Sequence, residues 1–255
     1  MSNVASKAIE RHARHTAGYE QRLVQTVLLL QQAAAAHPGS IVLATSLGAE
    51  DMVLTDLISR HQIPIALATL DTGKLHEETL ALLPAIEARY GIRVERFAPQ
   101  TEATLHFVKT HGELAMRDSV DLRKACCNIR KMEPLARMLA SRTAWVTGLR
   151  REQSGARAEV PFEDQDDTGH RKFNPLAEWT WHDVWHHIAT HDVPYNALHD
   201  RFFPSIGCEP CTRAVSLGED FRAGRWWWEQ SSKECGLHVS AVQDSSQESS
   251  QETAR

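Results

Sequence analysis

Short apolar runs alternate with helix-patterned stretches from residue 41 to residue 147, and this alternation restricts the chain to one class of fold. Residues 41–45 (Ile-Val-Leu-Ala-Thr) read as a strand and 52–60 as a helix. Residues 65–70 are a second strand, and 77–90 a helix closed by Gly91. A third strand covers 92–97, helices cover 101–111 and 128–141, and a fourth strand covers 143–147. Strands separated by helices cannot pair as hairpins and need crossover connections. The expectation is therefore an α/β fold: a mostly parallel sheet with helices on both faces. Ahead of it, residues 19–36 form an Ala/Leu/Gln-rich helix stopped by His37-Pro38-Gly39. Beyond Gly155 the regularity fades. Residues 163–170 read as a polar loop, and a helix follows that carries Trp179, Trp181, Val184, Trp185 and Ile188.

In parallel sheets ligands lie beyond the C-terminal strand ends. Three of these ends carry polar or glycine turns: Ser46-Leu47-Gly48, Asp71-Thr72-Gly73 and Gly148-Leu149-Arg150-Arg151. The first leads straight into a helix, a geometry that aims backbone N–H groups at an anion. It lacks the Gly-Lys-Ser/Thr of a Walker A loop and the repeated glycines of a dinucleotide fingerprint. Three turns converging on one sheet edge argue for a site more strongly than any one of them.

The chain has 255 residues and a formal charge of −5, which gives no electrostatic reason to expect a nucleic-acid or membrane partner. No apolar run approaches the roughly 20 residues of a membrane span, and residues 1–17 lack a signal-peptide core, so the expected location is the cytoplasm. We expect one domain over residues 19–239. It is preceded by a flexible polar segment, 1–18, and followed by a disordered Ser/Gln/Glu-rich tail, 240–255.

Five cysteines remain to be placed. Four fall into close pairs, Cys126-Cys127 and Cys208-x-x-Cys211, and two pairs of thiolates make a four-ligand site for zinc or an iron–sulfur cluster. Adjacent cysteines are awkward for a zinc half-site, which favours the cluster. Cys235 is left over, in Lys233-Glu234-Cys235-Gly236-Leu237-His238. Cationic neighbours lower a thiol's pKa, and Lys233, His238, Arg222 and Arg225 are candidates to supply that field; the plain alternative is an unremarkable thiol in a tail. Arg123, Lys124, Arg130 and Lys131 bracket the first pair, with Lys131 one helical turn past Cys127. As a set these cations suggest an anion pocket. His182, His186, His187 and His191 lack a carboxylate partner in metal-site spacing and read as structural. Trp226-Trp227-Trp228 cannot all face one core, so one or two of them are expected to cover a site or a partner.

Six ordered motifs carry a family resemblance: residues 46–51, 70–73, 126–131 and 148–154, the Cys208/Cys211 pair, and residues 234–238. Together they resemble the assimilatory adenylyl-sulfate reductases, the iron–sulfur branch of the sulfonucleotide reductases. The resemblance implies an adenine-nucleotide α-hydrolase-like fold. It also implies a [4Fe–4S] cluster on Cys126, Cys127, Cys208 and Cys211. It places Ser46 and Gly48 in a phosphate loop, Leu70, Thr72 and Gly148 near the nucleoside, and Arg157 at the nucleotide. Lys131, Arg222, Arg225 and His238 would surround the phosphosulfate, and Cys235 would be the nucleophile. The implied reaction reduces adenylyl sulfate to sulfite and AMP through an S-sulfonate on Cys235, with thioredoxin as the external reductant. The neighbouring activity on phosphoadenylyl sulfate is the alternative.

Overall fold

The computed structural model describes residues 6–229. Six strands form one sheet in the order β3-β2-β1-β4-β6-β5. They are β1 Ile41–Thr45, β2 Ala66–Leu70, β3 Glu95–Phe97, β4 Ala144–Val146, β5 Glu163–Gln165 and β6 Arg171–Phe173. All neighbours run parallel except β5 and β6, which form an antiparallel hairpin at one edge.

Side-chain alternation decides how the sheet is covered. Ile41 and Leu43 of β1, Leu67 of β2, and Ala144 and Val146 of β4 point to one face, in a core with α2 (Tyr19–Ala36), α3 (Ala49–Arg60), α5 (Leu82–Tyr90) and α9 (Trp181–His191). Val42, Ala68 and Trp145 point to the other face, against Leu135, Met138 and Leu139 of α8 (Glu133–Leu139). Helices on both faces and a mostly parallel sheet agree with the expectation from sequence.

The chain order places the site. From β1 the chain moves outward through α3 to β2, then through α4 (Glu77–Leu80) and α5 to β3. It returns by α6 (Thr101–His111), α7 (Val120–Cys127), a π-helical turn Asn128–Met132 and α8 to β4, on the opposite side of β1. The direction of winding therefore reverses between β1 and β4. The crevice beyond such a reversal is where open parallel sheets bind ligands.

Three differences from the sequence reading have local causes. The polar stretch 163–170 holds strand β5 and the turn into β6. It has no apolar alternation because it lies at the sheet edge, and it is held by side chains: Asp166 accepts the N–H groups of Thr168 and His170, each at 3.0 Å, and Trp145 Nε1–H, at 2.9 Å. The helical stretch after Cys127 opens as a π turn rather than as regular α-helix. Within the segment expected to be flexible, α1 (Ala8–His12) is docked on α9. Ala8 N–H donates to Asp200 at 2.6 Å, Arg11 donates to His199 O at 2.7 Å, and His182 Nδ1 bonds His12 O at 2.7 Å. These bonds use backbone groups and a buried alanine, which a polar composition hides.

Candidate active site

The β1–α3 turn is conformationally special. Leu47 is fully buried at φ 62°, a left-handed conformation that a bulky side chain adopts only under constraint from its surroundings. Its N–H bonds Thr45 Oγ1 at 3.0 Å, and Gly48 N–H bonds Ser46 Oγ at 3.3 Å. On the first turn of α3, Asp51 Oδ2 accepts both Ser46 N–H and Ser46 Oγ–H, each at 2.6 Å. Burial pushes the Asp51 carboxyl up to about 6, against the pull of the Ser46 donors.

The end of β4 packs on this turn. A Cβ on Gly148 would overlap Asp51 Oδ1 and stand 2.9 Å from Glu50 Cβ, so the close approach of the two elements needs glycine here. Glu50 Oε1 accepts Arg150 Nε–H at 3.0 Å and Gln153 Nε2–H at 2.9 Å. Burial alone would raise the Glu50 carboxyl, but the Arg150 guanidinium and Gln153 hold it below its usual range. Arg157 is buried, its Nη1–H donating to Gln153 Oε1 at 2.6 Å.

These turns enclose an open cavity of about 200 Å³ over the C-terminal ends of β1, β2 and β4. It collects all nine expected substrate residues that lie among the described ones: Ser46, Gly48, Leu70, Thr72, Lys131, Gly148, Arg157, Arg222 and Arg225. Arg225 reaches it across Gly207, where any Cβ would overlap the guanidinium, and donates to Ile206 O at 3.3 Å.

A second cavity adjoins the first. Cys126, Cys127, Cys208 and Cys211 line it, with Lys74, Arg123, Arg130, Lys131 and Trp226. All four thiols are free of disulfides. Burial pushes the Cys211 thiol up to about 11 and that of Cys126 in the same direction, while Lys131 and Arg225 pull Cys211 back and Arg130 pulls Cys126 back. Cys208 and Lys131 line both cavities. Thr72 Oγ1 lies 3.2 Å from Cys208 Sγ, Arg130 Nη1–H donates to Thr72 O at 2.7 Å, and Glu209 N–H donates to Lys74 O at 2.8 Å. The turn after β2 is thus stitched to the cysteine wall. Trp226 is buried between two cations, with Arg123 4.6 Å and Arg225 4.7 Å from its ring centre. Its Nε1–H has no partner among the described residues and is a donor available to a sulfur-rich group. Among the described residues, no three His, Cys, Asp or Glu side chains converge as ligands of a single ion.

Comparison with known proteins decides the family. A profile of the phosphoadenosine phosphosulfate reductase domain matches residues 40–214. The chain belongs to the phosphoadenosine phosphosulfate reductase family. Over 201 residues it is 57% identical to the adenosine 5'-phosphosulfate reductase of Allochromatium vinosum, covering 78% of each chain. Over 216 residues it is 53% identical to the enzyme of that name from Burkholderia cepacia, covering 84% of this chain and 86% of the relative. Among solved structures it is similar to the phosphoadenylyl-sulfate reductase of Candida auris, with a TM-score of 0.62 and 26% identity over 77% of this chain and 98% of that one. Yeast FAD synthetase has the same fold, with a TM-score of 0.55 at 13% identity over 81% of this chain and 73% of that one.

In this reductase-family chain, Cys235 and His238 lie outside the described residues. Sequence reasoning did not single out Trp145, Gln153, His199 and Phe221, all of which line the large cavity. Gln153 lies inside the 148–154 motif; the others carry no local signal in the sequence. The histidines of α9 make contacts within the fold. His187 is buried between Tyr19 Oη, at 2.9 Å, and Asp56 Oδ2, at 3.0 Å. Of the three adjacent tryptophans, Trp226 joins the cysteine wall, while Trp227 and Trp228 pack edge to face with Arg117 over both rings. Among the described residues no helix is long and apolar enough to cross a membrane.

Proposed function

We propose that this chain is an adenylyl-sulfate reductase of sulfate assimilation, converting adenylyl sulfate to sulfite and AMP with thioredoxin as reductant. One observation carries the reading: nine residues from five separate segments line one cavity, and that cavity shares Lys131 and Cys208 with the wall of four cysteines. The names borne by the bacterial relatives support the same substrate.

The nucleotide would lie across the ends of β1, β2 and β4, its phosphosulfate toward Lys131, Arg222, Arg225 and His238. The Cys235 thiolate attacks the substrate sulfur, the bond from that sulfur to the phosphate oxygen breaks, and AMP leaves with the electron pair. The product on the protein is Cys235-S-SO3−. Thiolate, phosphate and sulfonate repel one another, and the cations offset that repulsion where the charge develops. One thiolate of thioredoxin then attacks Cys235 Sγ and sulfite departs with the bonding pair. The second thioredoxin thiol resolves the mixed disulfide, leaving thioredoxin oxidised and Cys235 reduced. Cys235 stands six residues beyond Glu229, the last described residue, and such a connection spans at most about 20 Å.

Cys126, Cys127, Cys208 and Cys211 would hold a [4Fe–4S] cluster. The surrounding residues suit it: a thiolate-ligated cluster is anionic, and Lys74, Arg123, Arg130, Lys131 and the Trp226 N–H line its cavity. Zinc suits them less well. Its four sulfurs, each about 2.3 Å from one ion, must converge on a point, and the adjacent Cys126 and Cys127 are poorly spaced for that. Bound there, the cluster supplies fixed negative charge beside Lys131.

The test is the mass of the anaerobic protein after mixing with adenylyl sulfate alone. We expect one SO3 group on the peptide bearing Cys235. Cys235→Ser should gain none and release no sulfite, yet keep its iron and its AMP binding; sulfite release by that variant refutes the reading. Cys208→Ser should lose iron, measured by absorbance and metal analysis.

A further inference from the structure

Residues 222–229 run from one cavity to the other. Arg222 and Arg225 line the nucleotide cavity, and Trp226 packs in the cysteine wall. Backbone contacts pin this run to the 208–212 turn: Thr212 and Arg225 form an antiparallel bridge, and Trp226 N–H donates to Cys211 O at 3.2 Å. Trp226 itself is left-handed, with φ 39°, a conformation that a bulky residue holds only under constraint. Glu229 N–H then donates to Trp226 O at 2.9 Å and closes a turn. From that turn Glu229 Oε1 accepts Arg123 Nε–H at 2.6 Å, and both side chains are only 5% exposed. Arg123 lies on α7, one helical turn before Cys126 and Cys127, and its guanidinium also faces the Trp226 ring. The last described residue is thus tied to the helix that carries two of the four cysteines.

We propose that Glu229, held by Arg123, is a positioning residue: it fixes where the chain departs toward Cys235 and so aims that thiol at the sulfur of the bound nucleotide. The inference rests on reading Cys235 as the nucleophile. A buried ion pair adds little net stability, because desolvation offsets the attraction, yet losing one partner strands a buried charge. What the pair enforces here is register. Six residues lead from Glu229 to Cys235, a connection of at most about 20 Å, so the point of departure limits where the thiol can stand. Transfer to a tethered thiolate depends on alignment, and a displacement of about 1 Å can cost roughly a hundredfold in rate. Neither Arg123 nor Glu229 lines the nucleotide cavity, so the role is placement and not substrate contact.

The test uses the anaerobic, iron-loaded full-length protein. S-sulfonate formation on Cys235 from saturating adenylyl sulfate is followed by quenched-flow mass analysis, and AMP affinity by calorimetry. Glu229→Ala should slow the transfer about tenfold while iron content is kept and AMP affinity stays within about twofold. Glu229→Gln, which keeps an oxygen for Arg123, should recover most of the rate. Alkylation of Cys235 by iodoacetamide in the nucleotide-free protein should be as fast in Glu229→Ala as in wild type, because placement is lost and not thiol reactivity. A transfer rate in Glu229→Ala less than about threefold below wild type overturns the inference and leaves the functional reading intact. A parallel fall in alkylation, or no recovery in Glu229→Gln, also overturns it. If wild type gains no SO3 group, the functional reading fails and the inference with it. Should Glu229→Ala not hold iron, the double variant Arg123→Met, Glu229→Ala removes both buried charges. Slow transfer in that variant, with iron and AMP bound, supports the anchor, and a wild-type rate overturns it. Loss of iron in both assigns the pair to holding the cysteine wall and overturns the positioning role.

Discussion

Gly148 marks how closely two strand ends approach. Its missing side chain lets the β4 end sit against the Asp51 carboxylate, which two hydrogen bonds from Ser46 hold in place, and against Glu50 Cβ, which cannot swing aside. Gly148→Ala must therefore part β4 from α3 or displace Asp51 from Ser46. Overpacking of this kind costs about 1–3 kcal/mol, and we expect a lower unfolding midpoint together with weaker AMP binding in the same variant. Wild-type stability with wild-type affinity would show that the wall is softer than its packing implies. Lys131 presents the reverse case, a residue defined by position rather than tightness, because it faces both cavities. Lys131→Ala should slow S-sulfonate formation more than it weakens AMP binding, since an interaction with developing charge is felt chiefly in the transition state. Quenched-flow mass analysis against equilibrium AMP binding separates the two effects.

Two elements carry more than their sequences advertise. The π turn Asn128–Met132 follows directly on Cys127, and turns of this kind are frequent at functional sites because the extra residue re-aims the side chains around it. It leaves Arg130 buried against Thr72 O and Lys131 on both cavities. Helix α1 is the other. It lies outside the stretch matched by the family profile, yet Arg11 holds the carbonyl of His199, a residue of the cavity wall. His12 and His199 are each held at about 4. Burial is the main cause for both, reinforced at His12 by Arg11 and opposed at His199 by Glu50. Both are neutral in the folded state while their unfolded counterparts protonate near 6.5. Their contribution to stability is present above that value and is lost as pH falls toward 4. The unfolding midpoint should therefore drop between pH 6.5 and 4.5, and His199→Gln should flatten the drop. An equal slope in the variant would assign the acid sensitivity elsewhere.

At the scale of the molecule, the cysteine wall and the nucleotide cavity are one construction. Cys208 belongs to both, and three hydrogen bonds tie the turn after β2 to the 208–211 turn and the π turn. If the four cysteines hold the proposed cluster, a chelator should lower the thermal unfolding midpoint and also weaken AMP binding, since metal ligation at such a site is part of the folding free energy. A chelated protein with unaltered AMP affinity would separate the two halves. The sequence by itself determined the α/β class, the three strand-end turns and the pairing of the cysteines, because apolar periodicity, glycine placement and ligand count are properties of neighbours along the chain. It could not determine that β4 inserts beside β1, that a polar stretch forms an edge hairpin, or that α1 docks beneath His199. Nor could it tell that Glu50 pairs with the Arg150 guanidinium while Asp51 is held by the neutral donors of Ser46. Those outcomes depend on which distant groups are brought within hydrogen-bonding distance and shut away from water, and only the packed tertiary structure decides that.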